Sequence, residues 1–168
     1  HEIIHFSKEI TLEDNPIGTI GVEVAMQYTD SYNENIQTFA NVINTHDGGT
    51  HLTGFRMALN RVVKDYGLKN NLFKDLKSGK GKTNGLTSDD LKEGLTAVVY
   101  IKMHSNEIQF ESQTKTKLNN PEAQSAVFAV TKQFLTTHFE ENPGEARRVL
   151  GKVLLAAKAR MAARAAKD

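Results

Sequence analysis

The fold depends on one stretch of sequence, His46-Asp47-Gly48-Gly49-Thr50-His51-Leu52-Thr53-Gly54-Phe55-Arg56. Its Gly-Gly pair interrupts regular structure, and Thr50 is predicted to be the N-cap of a helix that runs to about Tyr66 and ends at Gly67. Apolar side chains follow at the three-and-four spacing of a core-facing helix stripe: Leu52, Phe55, Leu59, Val62, Val63 and Tyr66. The stretch therefore marks the change from strands to helix.

The residues before this stretch predict strands. Residues 21–29 alternate apolar and polar side chains, as a half-buried strand does. A polar turn leads to a second strand at residues 36–43, so we expect these two strands to pair as an antiparallel hairpin. Residues 3–6 form a shorter strand candidate.

The residues after the first helix begin with a segment of different composition. Residues 69–84 are polar and rich in Lys, Gly and Asn, and we expect them to be mobile. Residues 95–103 are strongly strand-forming, and residues 97–101 are apolar without alternation. This pattern predicts a central strand that is covered on both faces. Residues 108–110 form a weak strand candidate.

Two helices are predicted in the last third of the chain. Asn120 is the expected cap of the first, with Pro121 at its first position. Asn142 and Pro143 repeat this arrangement for the second helix, in which Glu145 occupies the position of a capping-box acid. Beyond residue 156 the sequence is Ala-rich and basic, and we expect this part of the helix to project from the domain.

Composition limits the possible classes of protein. A length of 168 residues is that of about one domain, and the absence of Cys excludes disulfides, thiolate metal sites and Cys nucleophiles. No apolar run approaches membrane-spanning length, so we expect no membrane association. Because the chain starts at His1 and not at Met, we expect a fragment of a larger cytoplasmic protein.

Charge is distributed unevenly along the chain. The net charge is only +1, but seven basic residues and no acidic residue lie between Arg147 and Lys167. A solvated helix surface is the common explanation of such a run, and backbone contact to a nucleic-acid duplex is the alternative. That alternative leads to a second hypothesis, a stand-alone nucleic-acid-binding module.

Two short motifs are interpreted without a catalytic role. The run Gly79-Lys80-Gly81-Lys82-Thr83 resembles a phosphate loop, but Leu76 stands where that loop requires its first Gly. His46, Asp47 and His51 lack the helical spacing of metal ligands, and polar capping at a helix start explains them better. We therefore expect no metal site in this chain.

The Gln113-Thr114-Lys115 segment carries an amide and a long cationic side chain on a predicted loop between the strand-rich and helical halves. Such a loop can offer a charged donor to a group outside its own domain, and a phosphate is the natural acceptor.

These segments together resemble bacterial type IIA DNA topoisomerase ATPase subunits, the family of gyrase B and its topoisomerase IV counterpart. The stretch that begins at His46 resembles the family's Gly-Gly-Thr-His…Gly-Phe-Arg sequence, and residues 20–25 resemble the strand before it. The segment Gln113-Thr114-Lys115 is similar to the family's Gln-Thr-Lys loop, and residues 151–163 resemble its exit helix. These markers follow the family order over nearly the whole chain.

The resemblance implies the transducer domain of such a subunit. It implies that residues 1–168 form a single domain in which residues 144–168 or so are the exit helix. The implied fold is α+β and like the second domain of ribosomal protein S5: a four-stranded sheet with helices on one face, plus a projecting C-terminal helix. The ATP site lies in an N-terminal ATPase domain that this chain does not include.

The resemblance also implies roles for three residues, and helix spacing adds two more. Lys115, assisted by Gln113, contacts the γ-phosphate of ATP in the neighbouring domain. Arg56 lies on the wall of the cavity that receives the transported duplex. Asn60 and Lys64 share its helix face, which fits a phosphate-contacting surface.

The implied cofactors are ATP and Mg²⁺ in the parent subunit, with none held by this chain alone. The implied partners are the N-terminal ATPase domain of the same subunit, a gyrase A-type DNA-cleaving subunit and double-stranded DNA. The parent is expected to dimerise on ATP binding and to act in the cytoplasm.

Overall fold

A computed structural model describes residues 2–74, 76 and 85–167. The described residues form five strands and three α-helices. The strands are β1 (Ile4–Thr11), β2 (Thr19–Tyr28), β3 (Asn35–Ala40), β4 (Ile43–Asn44) and β5 (Leu95–Lys102), and the helices are α1 (Thr50–Lys69), α2 (Pro121–Glu141) and α3 (Pro143–Ala165). A short 3-10 turn, Ser88–Leu91, precedes β5. No helix in the described ranges is long and apolar enough to cross a membrane.

The five strands form one sheet in the order β1-β2-β5-β3-β4. The expected count of four strands was wrong, because the segment predicted as a single strand at residues 36–43 is split. Asn41 adopts a left-handed φ of 51°, and its side chain bonds both the N–H and the C=O of Met103 at 2.9 Å. This contact ends β3 beside the end of β5, and the chain turns back into the two-residue β4.

The expected hairpin between β2 and β3 was also wrong. β5 lies between these strands, antiparallel to β2 and parallel to β3. Val99, at the middle of β5, is opposite Val24 on one side and Thr38 on the other. A polar turn specifies that the chain reverses, but not that the two strands it joins become neighbours.

β5 is central, as its sequence predicts, but it is covered on one face only. Leu95, Ala97, Val99 and Ile101 are buried, whereas Val98 between them is 40% exposed. The buried face of the sheet packs against α1 and α2, which also pack against each other. The expectation of cover on both faces was therefore wrong, because a run of apolar residues does not show which side chains meet a second layer.

α1 begins and ends differently from its prediction. Gly49 is the N-cap, and the buried Thr50 hydroxyl has no hydrogen-bond partner among the residues that the structure describes, so Thr50 does not cap the helix. The helix continues through Gly67 to Lys69. A Cβ at Gly67 would overlap the ring of Phe73, so this glycine makes room for packing and does not end the helix.

Gly49 also brings the start of α1 against a distant part of the chain. Its φ is 130°, and a Cβ there would overlap the backbone of Leu118. Gly49 and Leu118 form a parallel β-bridge, and the N–H of Thr50 donates to the carbonyl of Leu118 at 3.1 Å. A side chain at position 49 is therefore excluded by both backbone conformation and space.

α2 and α3 begin at the predicted prolines after Asn120 and Asn142, but neither Asn side chain caps its helix. Asn142 Nδ2 donates to the C=O of His138 at 2.9 Å. Glu145 lies 3.0 Å from His138 Nε2 and links α3 to α2, so it does not act in a capping box. α3 keeps contact with the domain through Met161, beyond the point at which projection was expected.

Several weaker predictions differ from the structure. β1 is longer than residues 3–6, and residues 108–110 form no strand, although Phe110 makes an isolated bridge with Leu118. Phe73 and Leu76 are buried within the segment predicted to be mobile. The motif at residues 79–83 lies outside the described residues.

A buried polar chain joins β3, the residue that follows β4, and α1. Thr38 Oγ1 lies 2.7 Å from Thr45 Oγ1, which lies 2.9 Å from His51 Nε2. His51 is fully buried and its Nδ1 bonds no residue of the described ranges, so it is a core residue and not the polar capping group that was expected. Burial lowers the pKa of His51 to about 4 from its usual 6.5.

We predict that stability falls as the pH falls from about 6.5 to 4. Because the pKa of His51 is lower in the folded state, the unfolded state binds more protons in this window. The free energy of unfolding should decrease by up to about 1.4 kcal/mol per pH unit. Urea unfolding at several pH values measures this slope. The slope should weaken in His51→Gln and persist in His104→Gln, which changes an exposed histidine. An unchanged slope in His51→Gln would assign the effect to other groups.

We predict that Gly49→Ala destabilises the fold by about 3 kcal/mol or more, because it combines a disfavoured φ with an overlap against the Leu118 backbone. Gly151→Ala is the matched control, since Gly151 lies within α3 with open space around it. That change should stabilise the protein by up to about 1 kcal/mol. Chemical unfolding of both variants tests the prediction, and a near-neutral Gly49→Ala would refute the close approach.

Candidate functional site

Two segments quoted from the sequence lie side by side in the structure. They are the Gly-Gly turn (residues 45–49) and the Gln-Thr-Lys loop (residues 111–117). Besides the Gly49–Leu118 contact, two backbone hydrogen bonds join this region: Asp47 N–H to the C=O of Thr116 at 2.8 Å, and Leu118 N–H to the C=O of Gly48 at 3.1 Å. The loop is thus attached through main-chain atoms to the start of α1.

The loop itself is a tight turn. The N–H of Lys115 donates to the C=O of Ser112 at 3.1 Å, and Lys115 adopts a left-handed φ of 57°. The N–H of Glu111 donates to the C=O of Lys117 at 3.0 Å and closes the turn. A hydroxyl pair, Ser112 Oγ and Thr114 Oγ1, lies 2.6 Å apart inside it. The backbone therefore presents the middle of the loop in a defined conformation.

The two predicted site residues of this loop are both exposed. The Lys115 ammonium and the Gln113 amide make no hydrogen bond or ion pair with any residue that the structure describes. Lys117, two positions later, is paired with Glu111 at 3.3 Å. The loop thus presents Lys115 to solvent without a partner among the described residues, while the neighbouring cation Lys117 is neutralised.

Asn120 closes the base of the same region and was not predicted to do so. It is 1% exposed, its Oδ1 accepts from the N–H of Gln109 at 2.7 Å, and its Nδ2 donates to the C=O of Glu107 at 2.8 Å. The side chain expected to cap α2 is therefore used to fasten the chain before the loop. An Asn-Pro pair predicts a helix start equally well in both cases.

The predicted DNA-contacting residues occupy the other part of α1. Arg56 donates from Nη1 and Nη2 to the two carboxylate oxygens of Glu34, both at 2.7 Å. The side chains of Arg56 and Glu34 are 36% and 21% exposed. The hydrogen bonds to Glu34 and its charge raise the pKa of Arg56, so the guanidinium is charged at all ordinary pH values. Glu34 was missed because it lies in a polar turn that predicts only solvent exposure.

Of the two other residues predicted to contact DNA, Asn60 lies beside Arg56 in the same pocket, whereas Lys64 lies outside it. Arg56 and Asn60 line a pocket of about 220 Å³, which we call the Arg56 pocket. Asn60 Oδ1 is buried and has no hydrogen-bond partner within the part of the chain that the structure describes. Lys64, one turn further along α1, is half-buried and does not line this pocket. The rest of the lining is Glu34, Thr53, Met57, Leu59, Ser88, Leu91, Lys92 and Leu95.

Basic residues of α3 hold the helix against the domain. Arg160 pairs with the buried Asp90 at 3.0 and 3.1 Å and also donates to the C=O of Gly85. Lys152 donates to the C=O of Ser31 at 3.4 Å. The exposed remainder includes Arg147, Arg148, Arg164 and Lys167. Part of the basic run therefore has a structural role.

The candidate metal ligands of the sequence do not form a site. His51 is in the core, and no group of three or more His, Asp or Glu side chains in the described ranges could hold a metal ion. What the geometry offers is an ammonium and an amide on an exposed loop, and a guanidinium beside a pocket. These groups suit phosphates and carboxylates.

Comparison with known proteins gives consistent results. A family model described as DNA gyrase B matches residues 1–168. The DNA gyrase B protein of Streptococcus pneumoniae serotype 4 is 47% identical over 173 residues, which cover 99% of this chain and 25% of that protein. The chain therefore spans about a quarter of the length of this curated relative.

Solved structures show the same similarity. The 43K ATPase domain of Thermus thermophilus gyrase B, solved with an aminocoumarin, matches with a TM-score of 0.77 at 42% identity over 97% of this chain and 40% of that chain. The topoisomerase IV ATP-binding domain of Francisella tularensis, solved with a small-molecule inhibitor, matches with a TM-score of 0.72 at 27% identity, covering 91% and 40%. A family match over the whole chain and near-complete alignment to gyrase B proteins lead to one conclusion: the chain belongs to the DNA gyrase B family.

Proposed function

We propose that this chain is the transducer domain of an ATP-dependent type II DNA topoisomerase subunit, of the gyrase B type. The observation that carries the proposal is the Lys115 ammonium, which is exposed and has no acceptor within the described chain. The backbone attachment of its loop to the start of α1 supports a role in relaying a contact. The family-model match over residues 1–168 and the 47% identity to a gyrase B protein favour the gyrase type.

Lys115 contacts the γ-phosphate of an ATP molecule held by the N-terminal ATPase domain of the same subunit, and Gln113 assists it. An ammonium is a compact triple donor and an amide adds two further donors, so both groups fit phosphate oxygens. Mg²⁺ and ATP supply the phosphoryl chemistry outside this chain. A positioned cation stabilises the transition state of phosphoryl transfer because charge builds up on the phosphate oxygens.

The contact makes the arrangement of the two domains depend on the nucleotide. When the γ-phosphate is released, Lys115 loses its acceptor, and with it the energy that favours one arrangement. A displacement of the loop is passed to the Gly-Gly turn through the bonds of Thr116 and Leu118, and so to the start of α1. α1 carries Arg56 within its second turn, so the loop that makes the phosphate contact is attached to the helix that makes the DNA contact.

The partners follow from this role. Double-stranded DNA meets the face of α1 that bears Arg56, Asn60 and Lys64. A gyrase A-type subunit cleaves the DNA, the parent subunit dimerises on ATP binding, and the complex works in the cytoplasm. α3, fastened by Arg160 to Asp90, is the exit helix that conveys domain rotation towards the DNA gate.

We predict that Lys115→Ala in the complete subunit lowers the turnover number for ATP by about 100-fold to 1,000-fold, the usual cost of losing one transition-state donor. ATP binding should weaken much less, because the ATPase domain holds the nucleotide. Lys117→Ala is the matched control: the same loop loses a cation that is already paired with Glu111. Steady-state ATPase and equilibrium nucleotide binding measure both effects. Undiminished turnover in Lys115→Ala would remove Lys115 from this role.

We predict that Arg56→Gln lowers DNA-stimulated ATPase activity severalfold while basal activity changes little, because the guanidinium contacts DNA and not the nucleotide. Arg61→Gln is the control on the same helix, since Arg61 is exposed and pairs with Asp65 away from the pocket. ATPase assays with and without linear duplex separate the two activities. An equal loss of both in Arg56→Gln would indicate a folding defect instead.

A further inference from the structure

The contact between Arg56 and Glu34 has the geometry of phosphate recognition. Two guanidinium donors meet two carboxylate oxygens at 2.7 Å each. A phosphate presents the same pair of oxygens to an arginine, so carboxylate and phosphate compete for the same face of the guanidinium. The side chains of Arg56 and Glu34 are only partly exposed. Solvent and salt therefore screen their attraction less than they screen a fully exposed ion pair.

Of the two other cations near Arg56, one is paired with an acid and one is not paired with any described residue. Lys92 lines the Arg56 pocket but pairs with Asp89 at 3.2 Å. Lys64, on the same face of α1, makes no hydrogen bond or ion pair with a described residue. With Arg56 neutralised by Glu34, Lys64 is the cation of this group that has no partner among the described residues, and removal of the Glu34 carboxylate would make a second cation available to a phosphate.

Glu34 is held close to Arg56 by its own turn. Residues 29–34 connect β2 to β3, and the turn is ordered by Ser31 N–H to Thr29 Oγ1 at 3.3 Å and Asn33 N–H to Ser31 Oγ at 3.1 Å. The N–H of Thr29 also donates to the C=O of Gly94 at 2.8 Å. A displaced Glu34 carboxylate therefore stays near the guanidinium at high effective concentration.

We propose that Glu34 is a positioning residue of the DNA-contacting surface, an internal competitor that holds the Arg56 guanidinium until a duplex phosphate displaces it. This inference rests on the DNA contact of the proposed function. Glu34 weakens binding of duplex and restricts it to phosphates that approach Arg56 closely enough to replace both hydrogen bonds. Removing the carboxylate exposes a fully available guanidinium on the same scaffold.

The test is the binding of the 168-residue chain to a fluorescent duplex of about 20 base pairs at roughly 50 mM salt, followed by anisotropy. Glu34→Gln should bind the duplex about tenfold more tightly than the wild type. This is the gain expected when a partly buried carboxylate that accepts two hydrogen bonds from Arg56 is removed. Asp30→Asn is the matched control, since Asp30 lies in the same turn, is exposed and makes no ion pair with a described residue. It should change affinity by about twofold at most, the effect of one surface charge.

The double variant Glu34→Gln/Arg56→Gln tests whether Glu34 acts through Arg56. The gain should disappear in the Arg56→Gln background, which a general charge effect or a merely structural role would not produce. A gain that persists there overturns the inference. Equal affinities of Glu34→Gln and Asp30→Asn also overturn it, while weaker binding by Arg56→Gln would still support the DNA contact. Should Arg56→Gln bind as the wild type does, the proposed DNA contact itself fails.

Folding of each variant is checked by urea unfolding. If Glu34→Gln does not fold, Glu34→Asp carries the test, because it keeps the charge and cannot reach both guanidinium nitrogens as well. The affinity of Glu34→Asp for the duplex should be higher than that of the wild type, but by less than the gain of about tenfold expected for Glu34→Gln. An affinity equal to that of the wild type would overturn the competitor role.

Discussion

The contact between the backbones of Gly49 and Leu118 is the constraint on which the candidate site depends. It requires a residue without a side chain at position 49, and it joins two segments that lie far apart in the sequence. Because the joining groups are main-chain atoms, the distance between the Gln-Thr-Lys loop and α1 does not depend on side-chain rotamers. An exposed lysine on such a loop is held in position at its backbone while its side chain extends into solvent. This combination suits a residue that must reach a group outside the domain.

Charge pairing decides which cations of the chain are available to a ligand. Lys117, Lys92 and Arg160 each have an acid within 3.3 Å, and Arg56 has both of its terminal nitrogens occupied. Lys115 and Lys64 have no such partner in the described ranges. The sequence shows seven basic residues near its end, yet the structure uses Arg160 and Lys152 of that run to hold α3. A count of basic residues along the sequence therefore overestimates how many cations of α3 are available to a ligand. It also gives no sign that Lys115 in the Gln-Thr-Lys loop is available.

The predicted elements succeed where local chemistry is sufficient and fail where a partner decides. The prolines at 121 and 143 mark the starts of α2 and α3, because proline suits the first turn of a helix wherever that helix packs. The strand pairing was wrong, because β5 enters the sheet between two strands that are consecutive in the chain. Asn120 and Asn142 were identified as caps, but their side chains bond other groups. A side chain that could cap a helix can instead bond another group that the fold brings near, and the local sequence does not show which group that is.

The sequence by itself determined the α+β class, the helix faces, the Gly-Gly and Gln-Thr-Lys segments and the family to which they point. These features depend on periodicity and on residue types with narrow conformational ranges, which act locally. Only the tertiary structure decided that the two segments touch, that His51 is buried and that Arg56 donates both of its terminal nitrogens to Glu34. Each of these depends on residues brought together from distant positions, where geometry and desolvation, and not local preference, select the partner. The same separation explains why the sequence could nominate Lys115 through the family resemblance of its loop, whereas the pairing of Arg56 with Glu34 required the fold.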